Sequence, residues 1–337
     1  MRPLNNRKLK ILYFSPDQTN WVKENWEYFK SSLNQISNVQ VKVVSEGGAI
    51  EDIMKKNDFI PDFIFFDDIK KTKEIEVTGL NRVHIPKGVL TVDVHYCPGN
   101  FRRFVKRNKI NLIFSVYRDA FFRYFPEFTE KFVWLPHHVY TAVFKDYKLE
   151  KSINYLLMGA VNNRVYPLRA AILKRMMTRV RGFVYHEHPG YKYFGENERE
   201  KVFIGKKYAE EINRSKIFFT DTGIYQYPIA KYYEVAACNS LIMGAGSREL
   251  NDLGFIHRKT FVEIDKANFK EKAKYYLRRK KRREQIARRG YKMVLANHTT
   301  EIRAQQFVDC VMRYLRWKSK LNKSTAGPEW MRLYHER

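Results

Sequence analysis

No CxxC pair occurs in this sequence, and its three cysteines, Cys97, Cys238 and Cys310, are far apart. That excludes a cysteine zinc ribbon and gives no basis for a disulfide framework, so the expected setting is a reducing one. Long apolar runs are also missing. No stretch approaches the roughly 18 consecutive apolar residues of a spanning helix. The opening MRPLNNRKLKILYF has too short an apolar run for a signal-peptide core. The expectation is a cytoplasmic chain with, at most, peripheral contact with an anionic membrane. The P-loop, GxGxxG, HExxH and GxSxG patterns are absent, which removes the common nucleotide, zinc-protease and serine-hydrolase signatures. No metal site is expected.

Acidic residues are few beside basic ones. There are 36 Asp and Glu against 63 Lys and Arg, a net charge of +27. Such a surface favours phosphate-bearing partners: nucleotides, nucleic acid or anionic lipid. With 44% hydrophobic residues, including 24 Phe and 22 Tyr, the chain has material for packed cores. Its 337 residues suggest two domains at about 100–200 residues each.

Short apolar segments recur with helical or basic stretches between them. Strands are expected at 9–14, 39–44, 62–68, 88–96, 111–116 and 131–136, with a helix at 20–36. After the charged stretch FKDYKLEKS (144–152) the pattern restarts. Strands are expected at 153–160, 182–188, 216–221, 240–245 and 260–264, and helices at 166–177, 207–215, 228–238 and 268–296. Alternating strands and helices imply doubly wound parallel α/β sheets. The expected division is 1–145, 146–310, and a C-terminal helix or tail at 311–337 that crosses back to the first domain. Ligands of open α/β sheets bind beyond the carboxyl ends of the strands, so strand-end residues become the candidates.

In the second half, Gly159 lets a backbone approach a ligand, and Arg164 and Arg169 can reach phosphate. The stretch TDTGIYQYPIAKYYE follows another strand. Thr222 and Gly223 offer free N–H groups, and Tyr225 and Gln226 lie in the same loop. Lys231 and Glu234 are three residues apart, on one helix face. The plain alternative for that pair is a solvated surface ion pair. In the first half, Asp17, Asp93 and His95 follow strands, His95 being the side chain best suited to proton transfer near neutral pH. The stretch FRRFVKRNK places Arg102, Arg103, Lys106 and Arg107 among phenylalanines, a pattern that suits an anionic surface.

Lys231-Tyr-Tyr-Glu234-Val-Ala-Ala-Cys238-Asn239 before an apolar strand resembles the R/K-x-x-E-A-x-A-C-G signature of GT-B glycosyltransferases. It is most similar to the CgeB/YkvP-like branch near glycosyltransferase family 4. SRELNDLGF (247–255), the basic stretch 275–299 and Arg303 agree with it, as do DVHY, IFSV and WLPHHV in the amino half. The resemblance implies two Rossmann-like domains facing a cleft. It implies retaining, metal-independent transfer from a nucleotide-sugar donor such as a UDP-sugar, with no separate cofactor. Glu234 would hold the ribose hydroxyls, the 222–226 loop the diphosphate, and Arg164 or Arg169 would balance its charge. The acceptor, bound by the first domain, would be a glycan, a lipid-linked glycan or a surface protein. Two departures stand out. Gln226 occupies the position, eight before Glu234, of the acidic residue in E-x7-E, and Asn239 replaces glycine. Two other readings remain open: a DNA-base glycosyltransferase or nucleic-acid-binding protein of the same fold, and a scaffold without activity.

Overall fold

The computed structural model describes residues 7–22, 24–69 and 75–321. The chain divides into two compact units. The first comprises the chain up to Asp17, Glu27–Pro136 and the chain from Glu301 onward; the second comprises Gln18–Trp26 and His137–Thr300.

The first unit holds β1 (Leu9–Phe14), α1 (Asn25–Gln35), β2 (Val39–Val44), β3 (Gly48–Ala49), α2 (Ile50–Lys56), β4 (Phe63–Phe66), β5 (Val77–Thr78), β6 (Lys87–Thr91), α3 (Pro98–Arg107), β7 (Leu112–Ser115), α4 (Arg118–Tyr124) and β8 (Phe132–Trp134). Its main sheet runs β2-β1-β4-β6-β7-β8, and every pair is parallel. Strand order reverses between β1 and β4. The strands are near-continuous apolar runs because both faces are covered. FIFF of β4 is wholly buried.

The second unit holds β9 (Ile153–Met158), α5 (Pro167–Met176), β10 (Phe183–His186), α6 (Glu196–Arg199), α7 (Gly205–Arg214), β11 (Ser215–Phe219), α8 (Ala230–Ala237), β12 (Leu241–Gly244), α9 (Arg248–Asp252), β13 (Val262–Glu263), α10 (Phe269–Arg278) and α11 (Lys280–Asn297). The sheet order is β10-β9-β11-β12-β13, again all parallel. Its reversal lies between β9 and β11. Leu157, Ile172, Ile217, Phe219, Met243 and Ile286 are among the residues of one continuous core.

The final helix, α12 (Thr300–Leu321), belongs to the first unit from Glu301 onward. Phe307 explains why. Its buried ring lies 4.7 Å from Phe65, 4.8 Å from Phe114, 5.7 Å from Phe29 and 6.4 Å from Phe63. The changes of unit therefore fall at 136/137 and 300/301, against the expected 145/146 and 310/311, and the second expected boundary lies inside one continuous helix. Residues 322–337 of the expected tail lie outside the described residues. The strand expected at 88–96 ends at Thr91, because Tyr96 N–H donates to Asp93 O at 3.0 Å and turns the chain into α3. The stretch 268–296, expected to form one or two helices, forms two, α10 and α11, which meet at Arg279. Among the described residues no helix is long and apolar enough to cross a membrane.

Replacing Phe307 by Ala should cost about 3–5 kcal/mol, the usual range for deleting a buried ring. Urea unfolding should show that loss, with α12 detaching from the first unit; a change below about 1 kcal/mol would mean that the ring cluster does not hold the helix. Stability should also depend on alkaline pH. Burial lowers Lys87 in the first unit to about 8, with Lys318 and Lys109 adding to the effect. Burial likewise lowers Lys151 in the second to about 8. Between that value and the ordinary lysine range the unfolded chain binds more protons, so stability rises with pH from about 8 to about 10. Above about 10 it falls, because buried Tyr13, Tyr208 and Tyr232 have phenol pKa values held well above normal and ionise only on unfolding. Thermal melts across this range should lose the rise in a Lys87→Met, Lys151→Met double variant.

Candidate functional site

The loops 159–166 and 220–229 leave the carboxyl ends of β9 and β11, the two strands that flank the reversal of order. This is the position where open α/β sheets bind ligands. Asp221 ties the two loops together. One of its oxygens, Oδ2, accepts from the backbone N–H groups of Leu168 at 2.9 Å and Arg169 at 3.4 Å, in the first turn of α5. The other, Oδ1, accepts from Gly223 N–H at 3.0 Å. The carboxylate thus satisfies helix-terminal donors that would otherwise lack partners, and it sits at the positive end of the helix dipole.

Gly159, the first residue after β9, has φ +110, a conformation suited to glycine. A methyl group there would lie 3.0 Å from Lys231 Cε, 3.3 Å from its Nζ and 3.8 Å from Arg169 Nη1. Two cationic side chains therefore converge over bare backbone. Arg169 is 2% exposed. Its guanidinium donates to Ala160 O at 3.2 Å, Thr220 Oγ1 at 3.3 Å and Asp221 O at 3.3 Å, and lies 4.1 Å over the Tyr166 ring. Its Nε has no hydrogen-bond partner, and among the described residues no carboxylate forms an ion pair with it. A guanidinium stays charged at any accessible pH, so this is a buried positive charge with no carboxylate oxygen hydrogen-bonded to it.

Glu234 and Lys231 share a face of α8, as their spacing requires, but that face is not solvated. Glu234 is 4% exposed. Tyr208 of α7 stands between them: its hydroxyl accepts from Lys231 Nζ at 3.1 Å and donates to Glu234 Oε2 at 3.4 Å, while Lys231 lies 4.9 Å over the ring. Burial, with the Glu234 charge second, holds the Tyr208 phenol well above its ordinary value. The surface ion pair considered for these residues is thereby replaced by a buried, tyrosine-bridged arrangement.

The structure thus brings Gly159, Arg169, Thr222, Gly223, Lys231 and Glu234 to neighbouring loops and helices of one sheet end. Gly223 has φ +66, and a side chain there would meet Val165 O at 2.7 Å, so the loops touch where only glycine fits. Arg164 is exposed, its backbone N–H donating to Asn162 Oδ1. Gln226 is exposed at φ +59, and Tyr225 stacks on Tyr227 at 5.3 Å. Asn239 takes φ +52 after α8, keeping the turn in place of glycine.

In the first unit, Asp17 follows β1, while Asp93 and His95 follow β6; Asp17 and Asp93 are exposed and His95 half-buried. Arg102 is engaged within its own unit. It pairs with Glu127 at 2.5 Å, donates to Tyr124 O at 2.5 Å and lies 5.2 Å over Phe125. Arg103 donates to Asn100 Oδ1, whereas Lys106 and Arg107 are exposed. Among the described residues no group of three or more His, Cys, Asp or Glu side chains is placed to hold a metal. Sequence reasoning missed Asp221 and Tyr208. Asp221 stands in the quoted TDTG loop and was within reach as a strand-end acid; Tyr208 gave no signal beyond an apolar position in α7.

No curated protein matches the sequence at a significant level. Solved structures do match in fold. HepE of Anabaena in complex with UDP-glucose superposes with a TM-score of 0.61 at 11% identity, over 89% of this chain and 98% of that one. Sucrose-phosphate synthase of Thermosynechococcus elongatus gives 0.62 at 10% identity, over 94% and 100%. A glycosyltransferase of Rickettsia africae gives 0.56 at 10% identity, over 91% and 98%. These likenesses identify two Rossmann-like domains in the GT-B arrangement. A protein-family model described as "Glycosyl transferase-like" covers residues 137–309, just over half of the 337. The chain therefore belongs to the glycosyltransferase-like family and is a glycosyltransferase of GT-B fold.

Proposed function

We propose that this protein transfers a sugar from a nucleoside-diphosphate donor, a UDP-sugar, to an acceptor hydroxyl, and that the donor binds at the carboxyl ends of β9 and β11. The carrying observation is Arg169: a buried guanidinium without a carboxylate partner, beside Gly159 and Lys231. A diphosphate supplies the missing negative charge, and the resulting charge-assisted hydrogen bonds are the strong kind. The UDP-glucose bound to Anabaena HepE, a protein of like fold, supports the choice of donor. The K-x-x-E-x-A-A-C-N stretch supports placement in the CgeB/YkvP-like branch near glycosyltransferase family 4.

In this reading Glu234 accepts the two ribose hydroxyls, since an ionised carboxylate offers two acceptor oxygens. Thr222 and Gly223 present the loop to the diphosphate, with Tyr225 and Gln226 beside the sugar and Arg164 at the rim. Transfer breaks the bond between the sugar C1 and the diphosphate oxygen, which leaves with the electron pair. The charge that develops there is met by Lys231 and Arg169, so the transition state gains more than the ground state. The acceptor oxygen bonds to C1 on the same face, and its proton passes to the departing diphosphate. His95 holds the acceptor hydroxyl, with Asp93 and Asp17 as further polar contacts. Configuration is retained and no metal is required.

Isothermal titration with UDP should show binding that falls about 10–100-fold in Glu234→Gln and in Lys231→Ala, corresponding to about 1.5–3 kcal/mol for a charged hydrogen bond. Unchanged affinity in both would remove the donor-site assignment. Proton NMR of the product should show the donor's anomeric configuration, and turnover should survive a chelator. An inverted anomer, or activity lost to the chelator and restored by a divalent cation, would refute those two parts.

A further inference from the structure

A pocket of about 350 Å³ lies at β13, the edge strand of the second sheet, and the donor reading does not use it. Its walls are the turn before β13 (His257, Arg258), one face of α10 (Glu271, Lys272, Tyr275) and the start of α11 (Arg282). Tyr276, 3% exposed, closes the floor. None of these residues belongs to the loops 159–166 and 220–229, and β12 separates β13 from β11 in the sheet. The volume falls at the lower end of the range for small-molecule pockets.

The pocket is rich in hydrogen-bond donors. Lys272 is half-buried, and its Nζ donates to Glu263 O at 2.8 Å, which leaves two protons unused. Arg282 Nη1 donates to the Tyr275 hydroxyl at 3.2 Å, so the proton of that hydroxyl is left to donate. His257 Nδ1 accepts from Glu263 N–H at 2.9 Å, so the neutral ring carries its proton on Nε2. Among the described residues the Arg258 guanidinium has neither a hydrogen-bond nor an ion-pair partner. Arg258 also holds φ +60, a conformation in which glycine or asparagine is the usual residue.

The charge is one-sided. Among the described lining residues Glu271 is the one carboxylate, against Arg258, Lys272 and Arg282. The Glu263 carboxylate is turned against the Gly246 backbone and does not line the pocket. His257 registers the excess. Burial lowers its pKa first, and Lys272 and Arg258 lower it further against the opposing pull of Glu263. Exposed Arg278, Arg279, Lys280 and Lys281 continue the same charge on the adjoining ends of α10 and α11. The donors come from three separate elements, so they converge from different directions. A tetrahedral anion accepts from all of them at once, whereas a planar carboxylate offers its oxygens in one plane.

We propose that this pocket binds a phosphate group carried by a ligand distinct from the sugar donor, with Arg258, Lys272 and Arg282 as its cationic contacts. The volume exceeds that of one phosphate, so the rest of the ligand lies against Tyr275 and Tyr276. The site does not depend on the donor reading.

NMR of histidine-labelled protein reads the pocket directly, since His257 lines it and its resonance is the one missing from His257→Gln. Sulfate keeps its two charges across the titration range and serves as the probe. It should move the His257 titration to higher pH, because a bound anion favours the imidazolium, while chloride at equal ionic strength should not. By linkage, sulfate should bind more tightly as pH falls through that titration. Arg258→Asn, which tolerates the left-handed turn, and Arg282→Gln, at an exposed position, should each weaken sulfate binding about tenfold or more. Both should keep the melting temperature and the UDP affinity of the wild type. Glucose 6-phosphate acting as sulfate does identifies a soluble phosphorylated ligand. Phosphatidylglycerol vesicles that bind the wild type but neither variant identify a lipid headgroup. The proposal is overturned if sulfate and chloride move His257 alike, if both variants bind sulfate as the wild type does, or if sulfate binds and neither phosphate-bearing probe does. UDP titration of the same samples tells a failed donor site from a failed anion site.

Discussion

One carboxylate holds the carboxyl end of the second sheet together. Asp221 bonds the first turn of α5 with one oxygen and the glycine of the next loop with the other. Everything else at that end follows from the junction. With the start of α5 fixed, Arg169 in its first turn is directed beneath the loops, where backbone carbonyls and Thr220 can hold it but no carboxylate neutralises it. Asp221 is held by three backbone N–H groups, one of them that of Arg169 itself, and it meets the Arg169 guanidinium through its backbone carbonyl. The arrangement leaves a positive field at the sheet end while each loop remains tied. Gly159 and Gly223 complete it, one by letting Lys231 approach the backbone and the other by letting the two loops touch.

How much of this was legible depended on the distance over which each residue finds its partner. Lys231 and Glu234 lie within one helical turn, so their common face followed from spacing; Gly159 and Gly223 followed from their place after strands. Asp221 acts on a helix 52 and 53 residues earlier in the chain, and Tyr208 reaches Glu234 across 26. No local pattern records such pairings, since any apolar helix face tolerates a tyrosine. The same contrast explains the fold. The alternation of apolar and helical segments revealed parallel sheets, because strands buried on both faces are continuous apolar runs. It placed the return of the chain to the first unit at 311, whereas the unit changes at 300/301. Phe307 makes that decision through rings at positions 29, 63, 65 and 114, and in the sequence it is one phenylalanine among 24.

The basic stretch of α3 shows how sequence charge differs from available charge. Arg102 and Arg103 read as an anion-binding strip, yet Arg102 is fixed to Glu127, a backbone carbonyl and the Phe125 ring. It packs the helix against its neighbours, as long cationic side chains commonly do. The apolar residues interleaved with these cations have an equally local use. Phe101 packs on Phe125 at 4.7 Å and Phe104 on Phe66 at 5.3 Å. Lys106 and Arg107 of the same stretch remain exposed.

Net charge therefore describes this molecule poorly at the scale on which ligands are recognised. The excess of +27 is a property of the whole sequence and does not give the balance at either strand end. At the second sheet, Lys231 and Arg169 converge on the Gly159 backbone, and Glu234 lies behind Tyr208. A cationic pocket holds a diphosphate most tightly when charge builds up on the leaving oxygen, so it favours the transition state over the bound donor.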